Sequence, residues 1–323
     1  MTKEQLNNLI KFLQKDHRII GAKRFGKFID VAEIKDPAEL TLENQLPFHG
    51  FKKYFLPEKT VLFDYNKFKF QENLTAPKIA IFGINILDLK AVLLYDQVFE
   101  KDPYYQARRA NILIIAHNFL PSIESNIFEE KYEEDILEHL PFDIFLAGIN
   151  KDKFEVFSGS SRGQKLLEKN KITDYRHIQF SGPIKEEGPN KFHKLIYDKF
   201  KSSKNNKIWD ELDKRCIECG KCTIICPTCY CFRLDDEPAI EPTQGQRVRA
   251  WDSCFYHEFS EVAGGAKFLK TTGERIRFWY WHKFVRNFEE FSFAGCIGCN
   301  RCSVVCPAKI NINEVLEDIK KLS

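Results

Sequence analysis

Residues 216–227, CIECGKCTIICP, and residues 296–307, CIGCNRCSVVCP, are two copies of one pattern, C-x2-C-x2-C-x3-C-P. Together they hold eight of the eleven cysteines, and the first 215 residues hold none. A cubane 4Fe-4S cluster presents four iron corners, each taking one thiolate. The tight run lets one short loop reach three corners. The fourth cysteine lies one turn further on, beside a proline, and points away to complete the other cluster. The pattern therefore assigns Cys216, Cys219, Cys222 and Cys306 to one 4Fe-4S cluster and Cys296, Cys299, Cys302 and Cys226 to a second. Paired clusters of this kind imply one-electron transfer.

Competing uses of these cysteines fit less well. Zinc takes four ligands per site, commonly as two pairs, and would leave the third and fourth members of each run unexplained. A disulfide framework needs an oxidising compartment. The start MTKEQLNNLIKF lacks the charged, apolar and small-residue regions of a signal peptide. A reducing cytoplasm is the expected setting for free thiolates. No stretch approaches 18 apolar residues, so no membrane span is expected. The net charge of +3 gives no electrostatic argument for nucleic acid. Phenylalanine is abundant at 29 residues, without a functional reading.

Ahead of the cysteines, the chain reads as an α/β domain. Leu6, Leu9, Ile10 and Leu13 recur at helical spacing, with Thr2 and Gln5 placed as a capping box. The short apolar runs at 78–82, 111–116, 142–149 and 154–157 read as strands, and 88–99 and about 160–169 as helices. Residues 61–70 read as extended or irregular and rich in aromatics. The polar stretch 201–207, KSSKNNK, reads as a linker. The expected organisation is an α/β domain at 1–205, a scaffold or docking surface without cysteines, then a mainly α-helical, ferredoxin-type dicluster domain at 206–323. Helices are expected at 208–214 and after the second run, with Val315, Leu316 and Ile319 inward.

Several residues stay open at this level. Cys229, Cys231 and Cys254 suit small buried hydrophobes. They also suit a third metal site or a redox-active pair, with His257 as a fourth ligand. Arg247, Arg249, Arg275, Arg277, His282 and Lys283 read either as a solvated basic face or as cations that offset cluster charge or dock an acidic partner. Arg108-Arg109 could grip a phosphate or carboxylate, with a solvated surface the blander reading. Gly159–Gly163 matches a phosphate loop only loosely, and no flavin or nicotinamide fingerprint is present.

The stretches IWDELDKRCIECGKCTIICPTCYCF, RVRAWDSC, AGGAKF, HK and CIGCNRCSVVCP resemble the beta subunit of cytoplasmic sulfhydrogenases (NADP-linked nickel–iron hydrogenases) and the corresponding iron–sulfur subunit of anaerobic sulfite reductase. FGINILDLKAVLLYDQVF, DPYYQARR, FDIFLAGI and FSGSSRGQKLL carry the resemblance into the N-terminal half. It implies an electron conduit without substrate chemistry of its own. FAD and NAD(P) would sit on a partner subunit, and nickel–iron hydrogenase small and large subunits would complete the complex. A sirohaem sulfite reductase subunit is the alternative partner. The resemblance also implies that Cys229, Cys231 and Cys254 are functional. Family members often carry cysteines around 85–88 and 118–128; this chain has none there, so any N-terminal cluster of the family is lost.

Overall fold

A computed structural model describes residues 1–43, 45–117, 134–150, 152–183, 191–202, 206–241, 243–292 and 295–321. In chain order its elements are α1 (Lys3–Leu13), β1 (Arg18–Phe25), β2 (Phe28–Glu33), α2 (Lys52–Phe55), β3 (Lys59–Asn66), β4 (Lys69–Glu72), β5 (Ile79–Ile84), α3 (Ile86–Val98), α4 (Pro103–Ala110), β6 (Ile112–His117), β7 (Ile144–Asn150), β8 (Lys153–Ser158), α5 (Ser161–Lys169), β9 (Arg176–His177), α6 (Lys191–Ser202), α7 (Ile208–Arg215), α8 (Lys221–Ile225), β10 (Phe232–Pro238), β11 (Gln244–Trp251), α9 (Thr272–Trp281), α10 (Asn287–Phe291), α11 (Arg301–Val304) and α12 (Ile312–Lys320).

The chain forms two compact units: Met1–Phe55 with Leu74–Ile184, and Leu56–Asn73 with Lys185–Ser323. The boundary expected at 205/206 differs from this division. The family cysteine positions near 118–128 lie outside the described residues.

The first unit is built on a seven-stranded sheet of order β2-β1-β5-β6-β7-β8-β9. Its centre, β1-β5-β6-β7, is parallel, and β2 and β8 run antiparallel to their neighbours. The central strands IAIFGI and ILIIAH are almost wholly buried, as expected of parallel strands covered on both faces. Helix α1 turns Leu6, Leu9, Ile10 and Leu13 into the core at 0–2% exposure, a gain of about 2 kcal/mol each. Its capping box forms as the sequence indicates: Gln5 N–H donates to Thr2 Oγ1 at 3.2 Å and Thr2 N–H to Gln5 Oε1 at 2.8 Å.

Two sequence candidates in this unit prove to be packing features. Asp102 caps α4, and Arg109 Nε donates to Asp96 Oδ1 at 3.0 Å, an oxygen that also accepts from Tyr105 at 2.6 Å. The arginine is thereby committed internally. In the phosphate-loop-like stretch, Ser160 caps α5 and donates to Asp143, while a Cβ on Gly163 would lie 1.9 Å from the Asp143 carbonyl oxygen. That glycine is there for close helix–strand approach.

The second unit joins helices α6 to α12 to a four-stranded antiparallel sheet of order β10-β11-β3-β4. This sheet adds strands that the mainly helical expectation did not include. Strands β3 and β4 come from residues 59–72, and β3 satisfies its backbone groups on β11, far along the chain. A stack of aromatic rings centres on Phe200 of α6, whose ring lies 5.6 Å from Trp209, 5.9 Å from Tyr280 and 6.2 Å from Phe284. Such pairs add about 0.5–1.5 kcal/mol each beyond area burial. Among the described residues, no helix is long and apolar enough to cross a membrane.

Candidate metal centre

Helix α7 delivers the chain to the first cysteine loop. Ile208, Trp209 and Leu212 bury its apolar face, and Cys216 N–H closes its last turn on the Leu212 carbonyl at 2.9 Å. Asp213 accepts from the Gly273 N–H at 2.6 Å, pinning α7 to the start of α9.

The two loops share one backbone trace. Positive φ occurs at Glu218 (52°) and Gly220 (69°) in the first, and at Gly298 (73°) and Asn300 (56°) in the second. These are the same offsets from the leading cysteine. Each loop thus turns tightly enough to aim several thiols inward, and a short helix, α8 or α11, begins directly after it. Gly220 also has no room for a side chain, because a Cβ would lie 2.6 Å from the Tyr256 ring. Backbone N–H groups point at sulfur: Glu218 N–H donates to Cys216 Sγ at 3.4 Å and Ile310 N–H to Cys306 Sγ at 3.3 Å.

Cys216, Cys219, Cys222 and Cys306 line one cavity of about 50 Å³. Its remaining wall is largely apolar, including Ile217, Phe255, Ile276, Trp279, Tyr280 and Ile312, and Cys302 also reaches it. Cys306 enters from the second run. A second neighbourhood gathers the other cysteines. Burial pushes the Cys302 thiol well up, and the charges of Cys226, Cys296, Cys299 and Cys222 add to that rise. Burial likewise pushes Cys296 up to about 12, opposed by the nearby Lys283 ammonium. Cys226 goes the other way. A hydrogen bond from Cys229, together with Lys283 and Thr228, holds it well below the usual thiol range.

All eleven cysteines are free thiols. Among the described residues, no three His, Cys, Asp or Glu side chains approach closely enough to hold one metal ion. A cubane makes a different demand, since each thiolate binds its own iron corner. Four sulfurs spaced around a small, largely apolar cavity, with N–H groups aimed at them, suit that donor chemistry. The cavity gathers Cys216, Cys219, Cys222 and Cys306 with Cys302 on the same wall, and Cys226, Cys296, Cys299 and Cys222 neighbour Cys302.

Among the remaining candidates, Cys231 neighbours both Cys229 and Cys254. Cys254 is buried near Cys231 and Cys222, and Cys229 lies against Cys226. His257, suggested as a fourth ligand for them, instead places Nε2 2.9 Å from Glu218 Oε2. Arg247 pairs with Asp236, and Arg249 lies over the Phe232 ring, both on the sheet. His282 Nε2 meets the Tyr230 hydroxyl at 3.2 Å, and burial lowers its pKa to about 4. Burial lowers the Arg277 pKa as well.

Arg275 and Lys283 point inward. Arg275 donates to the carbonyls of Cys254, Tyr256, His257 and Leu269 and pairs with Glu218 inside the first loop. Lys283 donates to Cys226 Sγ at 3.1 Å. The sequence left these two open between a solvated basic face and cations that offset cluster charge or dock an acidic partner, because nothing local marks an inward basic side chain.

Residues 215–310 match the 4Fe-4S dicluster domain family. The chain is similar to sulfhydrogenase 2 subunit beta of Pyrococcus furiosus, 28% identical over 317 residues that cover 94% of this chain and 92% of that protein. This bears out the sulfhydrogenase beta-subunit side of the resemblance read from the motifs. No solved structure matches the chain.

Proposed function

We propose that this chain is the beta-type, electron-relaying subunit of a cytoplasmic hydrogenase complex. It would pass single electrons between a flavin- and NAD(P)-binding partner and a nickel–iron catalytic subunit. Cys216, Cys219, Cys222 and Cys306 hold one 4Fe-4S cluster; Cys226, Cys296, Cys299 and Cys302 hold the other. When bound, the clusters supply reversible one-electron acceptors.

The observation that carries the reading is the entry of Cys306 into the cavity lined by Cys216, Cys219 and Cys222. In this reading two runs 80 residues apart, counted from Cys216 to Cys296, share their fourth ligands. The protein's own residues keep the sulfurs in place. Helix α7 sets Cys216, the paired left-handed backbone positions shape each loop, and the apolar wall excludes water. The first unit serves as scaffold and docking surface.

Anaerobic reconstitution tests the cluster reading. About eight irons per chain are expected, and bound zinc or far less iron would refute it. The composition of the native complex tests the rest. Co-purifying nickel supports the hydrogenase assignment, whereas sirohaem would move the same relay to a sulfite reductase.

A further inference from the structure

Helix α9 does not run directly into α10. Residues His282–Arg286 make a π-helical turn between them. Such turns are rare, and they recur at functional sites because the widened turn re-aims a side chain. Here the turn delivers Lys283 to the interior, where it is 4% exposed. Its Nζ donates to Cys226 Sγ at 3.1 Å, Thr228 Oγ1 at 2.9 Å and the Gly295 carbonyl at 3.0 Å. Those acceptors use all three ammonium hydrogens. The Trp279 ring lies 5.3 Å away. Gly295 N–H returns to the Lys283 carbonyl at 2.7 Å, so the lysine is clamped at both ends by the residue preceding Cys296.

Among the described residues, no carboxylate pairs with Lys283. A buried ammonium lacking a counter-charge is strongly unfavourable. The compensating charge comes from sulfur. Cys226 Sγ accepts from the ammonium at 3.1 Å, with Cys229 and Cys296 close by. Among the described residues, the cation that lines the first cavity is Lys221, which is exposed to solvent rather than buried. The sulfurs of Cys216 and Cys306 accept from backbone N–H groups, and the nearby cation Arg275 is committed to the Glu218 carboxylate.

We propose that Lys283 is a positioning residue, a fixed internal cation that stabilises the reduced state of the cluster held by Cys226, Cys296, Cys299 and Cys302 and makes it the higher-potential member of the pair. This rests on the two-cluster reading above. Adding an electron adds negative charge beside Cys226 Sγ, and a fixed positive charge that hydrogen-bonds to the sulfur favours the more negative state. The two clusters would then form a directed step, with the electron resting at the Lys283 side.

The test is an anaerobic redox titration of the full chain, followed by low-temperature electron spin resonance, on wild type, Lys283→Met and Lys283→Arg. With iron content retained, Lys283→Met should lower the reduced-to-oxidised ratio of the higher-potential cluster at least tenfold at fixed applied potential. That corresponds to about 59 mV for one electron. The other cluster should stay in place, and Lys283→Arg should recover most of the shift. Unmoved midpoints, or equal shifts in both clusters, would overturn the role of Lys283 alone. If Lys283→Met loses iron, Thr228→Val gives the second readout. It removes the hydroxyl that touches both Cys226 Sγ, at 3.2 Å, and Lys283, and should lower the same midpoint by a smaller amount; no shift there also overturns the proposal. Failure of wild type itself to take up iron would instead refute the two-cluster reading.

Discussion

Arg275 Nε lies 3.3 Å from Glu218 Oε1, with the arginine side chain only 1% exposed. One guanidinium thus ties the first cysteine loop to helix α9 and to four carbonyls of the 254–269 segment.

Replacing Arg275 with methionine should therefore destabilise the protein by about 3–5 kcal/mol, because Glu218 loses its buried partner and the carbonyls lose their donor. Arg275→Lys should recover only part of this, since an ammonium lacks the planar fork that spans several acceptors. The thermal midpoint under anaerobic conditions reads the effect. A fall of less than about 2 °C in the methionine variant would show that the network contributes little.

The proposed exchange of fourth ligands makes a prediction about pairs of variants. Cys306→Ser and Cys219→Ser should abolish the same electron spin resonance signal, and Cys226→Ser and Cys299→Ser the other. Each should leave about four irons per chain. If Cys306→Ser removed the signal lost in Cys299→Ser, each run would be serving its own cluster and the crossed wiring would be wrong.

In the first unit, Gly163→Ala should destabilise by about 1–3 kcal/mol, because the new methyl would sit 1.9 Å from the Asp143 carbonyl oxygen. That displacement also disturbs Asp143, whose carboxylate accepts from Ser160, Arg162 and the Ile114 N–H. An unchanged urea midpoint would show that the helix start can move away freely.

His117 sets a pH window. Burial, and secondarily Lys3, lowers its pKa from 6.5 to about 4. The unfolded chain therefore takes up a proton before the folded one does. Stability is unaffected above about pH 6.5, falls as pH drops towards about 4, and loses nothing more from this group below that. The loss is at most about 3 kcal/mol and smaller where water reaches the ring. His117→Gln should flatten the stability profile in that window relative to wild type. Parallel profiles would exclude His117 as the source.

The sequence was readable where one local pattern decided the outcome. Short apolar runs marked β5, β6, β7 and β8, and helical periodicity marked α1 and α12, whose Val315, Leu316 and Ile319 are buried. The cysteine spacing named the residues that meet around the cavity. Strands β1 and β2 escaped because charged residues flank or interrupt their few buried apolar positions in RIIGAKRF and FIDVAE. The small sheet of the second unit escaped for another reason. Asn66 pairs with Gln244 and Lys59 with Ala250, and no local window spans such a distance. The inward courses of Arg275 and Lys283 depend on a tertiary cage and a π-helical turn, neither of which a single sequence displays.

The pairing of β3 with β11 also constrains the order in which the protein can mature. Residues 59–66 leave the ribosome long before 244–250, a lag of roughly ten to forty seconds at about 5–20 residues per second. Through that interval the early hairpin has no neighbour for one edge. A C-terminal fragment starting at 206 would never receive it and would present β11 as an open, template-like border prone to clumping. Expression of the iron–sulfur half alone therefore calls for a version that carries 56–73 along with it.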